Sequence, residues 1–414
     1  MTDQTHETVV MATTSYPRFP GDGVGSFIEP IAHGLASRGH DVHIVAPWHP
    51  AIQRPEREGQ VQFHFFRYAP LPSLNVFGYA GGLKADVALR PTAYLVTPLA
   101  LAAWRRMLRK VTKRYAASVV HAHWVIPGGF LTAVSRLGLP MVISLHGSDV
   151  FVAEANRLAR AAARYAFDRA TWVTACSDDL RQRAIALGAS PDRSEVVPYG
   201  VDTEQFRPDH DRRAAVRKPH GLDDETPLVV AAGRLVRKKG FEYLIDAIAM
   251  LRDRWPTLTL LLAGEGDLER ELREQAASRD ISSQVVFAGA LRQGDVAAAL
   301  SAADVAVVPS VRDDAGNVDG LPNIVLEALA SGTPVVATHA GGIGSVAKDG
   351  ETARVVAERD PRGLADAIDE LLSDRGAGAR LGSAARRQMC RAHTWARVAE
   401  RFEEAYHHAA DATR

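Results

Sequence analysis

Asp319-Gly320-Leu321-Pro322-Asn323-Ile324-Val325-Leu326-Glu327-Ala328-Leu329-Ala330-Ser331-Gly332-Thr333-Pro334-Val335-Val336-Ala337 reads as a loop, a short helix and a strand. Pro322 suits the first helical turn, where its missing N–H would have no helical partner. Gly332 suits the C-terminal stop, where a left-handed residue is wanted. The first N–H groups of such a helix lie open beside Asp319 and make an anion site ready for phosphate. Glu327 sits inside the helix, eight positions after Asp319, within reach of a sugar hydroxyl. Two acceptor-only carboxylates beside a phosphate-binding helix end suit a ligand with hydroxyls at both ends and a phosphate between them. A nucleotide-diphosphate sugar is such a ligand.

Outward from this stretch, short β-rich runs alternate with longer helical ones. The first half has predicted strands at Thr8–Thr13, Asp41–Ala46, Val61–Tyr68, Ser118–His123, Pro140–Leu145, Thr171–Ala175 and Glu195–Val197, with helices over Phe27–Arg38 and Ala93–Arg114. The second half has strands at Leu228–Ala232, Thr257–Ala263, Gln284–Phe287, Asp304–Val308, Pro334–Thr338 and Ala353–Val356. Helices over Phe241–Arg254, Asp267–Arg279 and Pro361–Leu372 intervene, and Trp395–Ala410 is a final helical run. Strands alternating with helices imply parallel sheets covered on both faces. Two such series predict two doubly wound α/β domains. The polar segment Thr203–Asp224 separates them, giving an expected division into 1–205 and 206–390. Ligands of open α/β sheets bind outside the carboxyl ends of the strands, so two such sheets facing each other would form a cleft.

Composition narrows the function classes. At 414 residues, two or three domains are expected. Hydrophobic residues make up 46% and charged residues 24%, as in ordinary soluble globular proteins. Lys+Arg and Asp+Glu are both 49, which argues against bulk nucleic-acid binding. Cys176 and Cys390 stand far apart in no metal spacing, so a disulfide scaffold is not expected and a reducing compartment is. The first residues, Met1 to Thr8, lack the apolar stretch of a signal peptide. No apolar run approaches the ~20 residues needed to cross a bilayer. The expected location is cytoplasmic.

Several segments can carry chemistry. Pro17-Arg18-Phe19-Pro20-Gly21-Asp22-Gly23-Val24-Gly25-Ser26 is a glycine-rich loop after the first strand. It is either a close approach of backbone to a phosphate or sugar, or a plain tight turn. It is not the dinucleotide fingerprint, because Ile28 stands where a third glycine is needed and no acidic residue ends the next strand. His121 and His123 share one face of a strand end, but no third and fourth ligand stands out for a metal; partly buried histidines near a cleft are the better reading. In Leu145-His146-Gly147-Ser148-Asp149, His146 can donate to a developing charge or a substrate hydroxyl, with Asp149 orienting the loop. The plain alternative is a turn with Asp149 as helix cap. Gly233-Arg234-Leu235-Val236-Arg237-Lys238-Lys239-Gly240 places cations at a strand's carboxyl end, where Arg can bind a diphosphate by parallel bonds and Lys adds a point charge. Trp104 to Tyr115 is a basic amphipathic run, read as a surface helix with its apolar stripe inward or as a peripheral contact with the inner face of an anionic membrane.

Taken together, the chain resembles the retaining glycosyltransferases of family four. The likeness rests on Pro20-Gly21-Asp22-Gly23-Val24-Gly25, His121-Ala122-His123-Trp124, His146-Gly147-Ser148-Asp149, Val197-Pro198-Tyr199-Gly200-Val201-Asp202 with Phe206, Gly233-Arg234 with Lys239-Gly240, Ala263-Gly264-Glu265-Gly266 and the Asp319 stretch, all in the family's order. The resemblance implies the GT-B fold: α/β, with two doubly wound Rossmann-like domains facing across a cleft. It implies an N-terminal acceptor-binding domain, a C-terminal donor-binding domain, and a C-terminal segment, 391–414, that packs back on the first. Arg234 and Lys239 would bind the donor diphosphate, Glu327 the ribose, and Asp319 the hydroxyls of the transferred sugar. Leu291, Gly320, Leu321 and Pro322 would line the donor, with Gly23 and Gly25 near donor and acceptor. His146 would lie beside the reacting centre. This chain departs from the family at Asp319, where Glu is usual and one methylene longer, and at Gly344-Ser345, where Pro-Glu is common.

The reaction so implied is transfer of a glycosyl group, with retention, from a UDP-, GDP- or ADP-sugar to a glycan, lipid-linked saccharide or small molecule, as in polysaccharide biosynthesis. The leaving diphosphate gains charge that Arg234, Lys239 and helix N–H groups would stabilise. No cofactor and no metal is expected. Alternatives are a sugar-nucleotide epimerase or hydrolase, which would turn over donor without acceptor, and a noncatalytic binding subunit. The segment Leu71–Leu95 would shape an acceptor pocket and favours transfer.

Overall fold

Val9 and Met11 face one side of the first strand, Val10 and Ala12 the other, and all four are fully buried. A strand that is apolar on both faces belongs inside a parallel sheet covered by two layers of helix. In a computed structural model describing residues 6–71, 74–75, 78–79, 83–84, 88–89, 91–223 and 225–413, this strand is central to an eight-stranded sheet. The chain divides into two compact units, Met1–Pro198 with Trp395–Arg414, and Tyr199–Thr394.

The first unit contains β1 (Thr8–Ala12), β2 (Asp41–Pro47), β3 (Arg57–Glu58), β4 (Val61–Phe66), the short pair β5 (Leu83–Lys84) and β6 (Ala88–Leu89), then β7 (Val119–His123), β8 (Met141–Leu145), β9 (Trp172–Ala175) and β10 (Ser194–Val196). Their order across the main sheet is β10-β9-β8-β7-β1-β2-β4-β3. All neighbours are parallel except the edge pair β3–β4. The helix Ile28–Ser37 and the C-terminal helix Trp395–Asp411 cover one face, through Ile31, Leu35, Phe402 and Tyr406. The helix Pro91–Arg114 covers the other through Trp104, Leu108 and Val111.

The second unit contains β11 (Leu228–Ala232), β12 (Thr259–Ala263), β13 (Val285–Gly289), β14 (Val305–Val308), β15 (Val335–Thr338) and β16 (Arg354–Val356). All are parallel, in the order β13-β12-β11-β14-β15-β16. Val229, Leu260, Val305 and Val336 pack with Leu244, Ile248, Leu364 and Ile368 of the helices Phe241–Leu251 and Pro361–Ser373. These are two Rossmann-like domains of the GT-B fold.

In each sheet the strand order reverses once, and such a switch point is where ligands of open α/β sheets bind. In the first unit the reversal lies between β1 and β7, in the second between β11 and β14.

The division between units falls at Pro198/Tyr199 rather than at 205/206. The intervening residues are tied into the second unit: the Val201 N–H donates to the His393 carbonyl at 2.8 Å, Phe206 is buried, and Arg386 donates to the Phe206 carbonyl at 3.0 Å. The segment that returns to the first unit begins at Trp395, not 391, because the helix Arg375–Ala392 belongs to the second. The segment Leu71–Leu95, expected to shape an acceptor pocket, lies in part outside the described residues.

Candidate active site

The glycine-rich loop follows β1, at the reversal of the first sheet. Asp22 holds it by accepting from the Arg18 backbone at 3.0 Å, the Arg18 guanidinium at 2.6 and 3.0 Å, and the Val24 backbone at 3.3 Å. The Arg18 bonds outweigh burial and keep the Asp22 carboxyl below its ordinary range. A side chain on Gly25 would stand 3.0 Å from the Ser15 carbonyl, whereas one on Gly23 would meet nothing within 4 Å. Open space therefore lies beside Gly23.

His121 and His123 end β7, and both are fully buried rather than partly so. The C-terminal helix and neighbouring strands enclose them. His121 pairs with the Tyr406 hydroxyl at 2.8 Å and with Ser144 Oγ at 2.6 Å. Nδ1 of His123 lies 3.0 Å from Nε2 of His146, and its Nε2 has no partner among the described residues. Burial drives both imidazoles down, His123 to about 3, and His146 is pushed well below the ordinary range by burial and by His123. His146 is thus a neutral ring that offers a hydrogen bond without a charge. Asp149 is no helix cap. It sits within the helix Ser148–Ala155 and accepts from the backbone N–H groups of Val125 at 2.7 Å, Gly147 at 3.0 Å and His146 at 3.3 Å. It thereby orients the His146 loop.

The cations of the second unit follow β11. Arg237–Lys239 makes a 3-10 turn that ends at Gly240, whose φ is +66°. A Cβ on Gly240 would fall 2.0 Å from the Pro309 carbonyl oxygen, so only glycine lets the loop after β11 meet the loop after β14. The Val311 N–H also donates to the Lys238 carbonyl at 2.9 Å. Asp319 lies further along that second loop. Gly341, with φ +55°, backs it so closely that a Cβ would stand 2.1 Å from the Asp319 carbonyl oxygen.

These contacts bring Asp319 and Lys239 together, with Nζ 2.6 Å from Oδ2, while Lys238 Nζ lies 3.1 Å from Oδ1. Burial favours the neutral acid, but the charges of Lys239 and Lys238 overcome it and hold Asp319 well below the usual carboxylate range. Arg237 points elsewhere and pairs with Glu271. Pro322 is the N-cap of the helix Asn323–Ala330 rather than part of its first turn, with extended backbone (ψ 126°). Among the described residues no side chain caps this helix, and Gly332 follows its end with φ +69°. Glu327 is half-buried in it. Burial pushes its carboxyl up to about 7, against a hydrogen bond from Gln293 and the charge of Lys239. Gly320, Leu321 and Pro322 are buried between the two carboxylates in sequence, and Leu291 lies in the loop after β13, two residues before Gln293.

The second unit therefore gathers Lys239, Asp319 and Glu327, with Arg234 at the same strand end, and the first unit gathers His146 and the glycine loop at its own reversal. The roles of Lys238, Gln293 and His123 had no signature in spacing. Lys238 is one of four cations in a run, and the partners of the other two lie far along the chain or on another strand.

Comparison with known proteins identifies the family and the fold. The family model described as Glycosyltransferase Family 4 matches residues 21–205, and that described as Glycosyl transferases group 1 matches residues 212–388. The chain is 30% identical over 383 residues to the GDP-mannose-dependent alpha-(1-6)-phosphatidylinositol monomannoside mannosyltransferase of Mycolicibacterium smegmatis, covering 91% of this chain and 92% of that protein. It is 28% identical to the D-inositol 3-phosphate glycosyltransferase of Pseudarthrobacter chlorophenolicus, over 94% of this chain and 91% of the relative. Among solved structures, sucrose-phosphate synthase from Thermosynechococcus elongatus superposes with a TM-score of 0.77 at 20% identity, over 97% of this chain and 98% of that one. HepE from Anabaena in complex with UDP gives 0.76 at 18%, over 96% and 98%. The chain belongs to the retaining glycosyltransferases of family four, enzymes of the GT-B fold that transfer a sugar from a nucleotide-diphosphate sugar to an acceptor.

Proposed function

We propose that the unit Tyr199–Thr394 binds the donor and the unit Met1–Pro198 the acceptor. Arg234 and Lys239 grip the diphosphate, Glu327 accepts from the ribose hydroxyls, and Asp319 accepts from hydroxyls of the transferred sugar. Leu291, Gly320, Leu321 and Pro322 line the donor, and Gly23 and Gly25 let backbone approach it. His146, neutral and held by Asp149, donates beside the anomeric carbon. The observation that carries this reading is the meeting of Lys239 and Asp319, 2.6 Å apart, where the loops after β11 and β14 touch.

As the glycosidic bond breaks, charge develops on the departing diphosphate. The cations and the uncapped N–H groups of the helix Asn323–Ala330 stabilise that charge more in the transition state than in the ground state. The acceptor hydroxyl attacks on the face that the leaving group vacates, and a donor phosphate oxygen takes its proton. This accounts for retention without a protein nucleophile, and it assigns no step to a metal ion.

The names of the relatives make GDP-mannose the first donor to test and a glycosylated, lipid-linked inositol the first acceptor. Calorimetric titration with GDP-mannose, UDP-glucose and ADP-glucose should find one donor whose binding is lost in Glu327→Ala. Lys239→Ala should then cost on the order of 10²–10³ in turnover. Unchanged turnover would sink the assignment of Lys239.

The acceptor reading extends to a peripheral contact with the inner face of an anionic membrane. The observation that favours it is a groove on the helix Pro91–Arg114 in which Pro98, Leu101 and Ala102 lie beside Arg105, Arg106 and Arg109.

A further inference from the structure

We propose that Lys238 is a further cation of the donor site, and that in the free enzyme the Asp319 carboxylate stands in for the donor diphosphate by holding Lys238 and Lys239. The inference rests on the donor-site reading above. Each carboxylate oxygen takes its own ammonium group, Oδ1 at 3.1 Å from Lys238 and Oδ2 at 2.6 Å from Lys239. All three side chains are mostly enclosed, at 17%, 15% and 14% exposure.

Adjacent lysines on an extended segment or a long helix point apart. Here they converge, because the 3-10 turn Arg237–Lys239 is stopped by Gly240, and because Val311 bonds to the Lys238 carbonyl. Two ammonium groups then share one carboxylate, which leaves an excess positive charge in a largely enclosed place. Enclosed charge is costly unless paired, and a dianionic diphosphate pairs it better than a single carboxylate does. Arrival of the diphosphate takes both ammonium groups and releases Asp319 to accept from sugar hydroxyls. The carboxylate that recognises the sugar is thus withheld until the phosphates are in place. Lys238 and Asp319 lie on different loops of one unit, so the exchange needs only rotation of side chains.

The test measures affinity for UDP, GDP and ADP, and for the matching monophosphates, in the wild type, Lys238→Gln, Lys238→Arg, Asp319→Asn, Glu327→Gln and the double variant Lys238→Gln/Asp319→Asn. Lys238→Gln should weaken diphosphate binding roughly tenfold, the loss of one charge-assisted contact, and monophosphate binding less. Lys238→Arg should keep most of the affinity. Asp319→Asn should tighten diphosphate binding while lowering sugar transfer, and the gain should shrink in the double variant. Glu327→Gln removes a carboxyl that neither lysine holds directly and should give no such gain. Unchanged or weaker diphosphate binding in Asp319→Asn, or an equal gain with and without Lys238, would overturn the exchange. A wild type that binds no nucleoside diphosphate would instead overturn the donor-site reading beneath it. Circular dichroism melts identify a variant that fails to fold, in which case the Lys238→Arg and Asp319→Asn arms decide.

Discussion

Glu327 is a carboxyl placed where its protonation matters. Burial raises its pKa to about 7, and the hydrogen bond from Gln293 with the charge of Lys239 does not fully compensate. A carboxylate accepts from hydroxyls through both oxygens, whereas a carboxylic acid loses part of that capacity. In the ribose-binding role proposed above the anion is the better acceptor, and donor affinity should be highest above pH 7 and fall as the pH drops through that value. If only the anion binds, the loss approaches tenfold for each pH unit below. Titration calorimetry between about pH 6 and pH 8 should show this slope with proton release on binding, and Glu327→Gln should bind more weakly with no slope. A variant that keeps the slope would assign it to another group. The neutral His146 should add nothing in this range, since its pKa is far below it.

At the scale of the element, the helix Pro91–Arg114 shows how one amphipathic segment can serve two surfaces. Val96, Ala100, Trp104, Leu108 and Val111 recur every three or four residues and all enter the core. The inward stripe expected from the sequence is therefore present, and the opposite face is left with Leu99 at 53% exposure and a groove of about 570 Å³ flanked by Arg105, Arg106 and Arg109. Each basic residue near an anionic bilayer contributes about 1 kcal/mol. Sedimentation with vesicles rich in phosphatidylglycerol should pull down the wild type, while Arg105→Glu/Arg106→Glu/Arg109→Glu should bind about a hundredfold less. Equal binding to neutral phosphatidylcholine vesicles would defeat the electrostatic part of the reading. The helices and strands were legible in the sequence because their periodicity is set by burial, and ends differ by a few residues where capping decides. Pro322 is the example: its fixed φ suits a helix start, but its ψ places it just outside. Site motifs were legible where a strand end, a glycine and a charge coincide, as at Gly233–Gly240. Lys238 on Asp319, Gln293 on Glu327 and His123 on His146 were not, because each depends on how two distant loops or strands meet.

At the scale of the whole molecule, the two units carry opposite responses to acid. The first holds His121 and His123, fully buried, and His146, partly buried, all neutral rings with pKa values driven down by burial, and His64, lowered by burial to about 4. For a base whose folded pKa is depressed, the unfolded chain binds more protons, so stability is present above about 6.5 and is lost as the pH falls below it. Asp149 works the other way, because burial raises it to about 6 and the fold then takes up its proton between about 4 and 6, but it is one group against six, since burial also lowers His43 and His49. In the second unit Glu327 is raised to about 7, so its contribution grows as the pH falls from 7 toward 4.5, and the depressed Asp319 is not protonated in that range. The first unit should therefore weaken in mild acid while the second holds. Tryptophan distribution separates them: Trp48, Trp104, Trp124, Trp172 and Trp395 lie in the first unit, and only Trp255 in the second. Urea unfolding followed by tryptophan fluorescence should show stability falling between about pH 7.5 and pH 5, by up to about 1.4 kcal/mol per pH unit below 6.5 for each net group. Far-ultraviolet circular dichroism, which sees both units, should broaden into two steps at the lower pH. A fluorescence midpoint unmoved by acid would mean that the histidines are not held neutral by the fold. A single coincident transition at both pH values would mean that the units unfold together, and the acid response would then be their difference rather than that of the first unit alone.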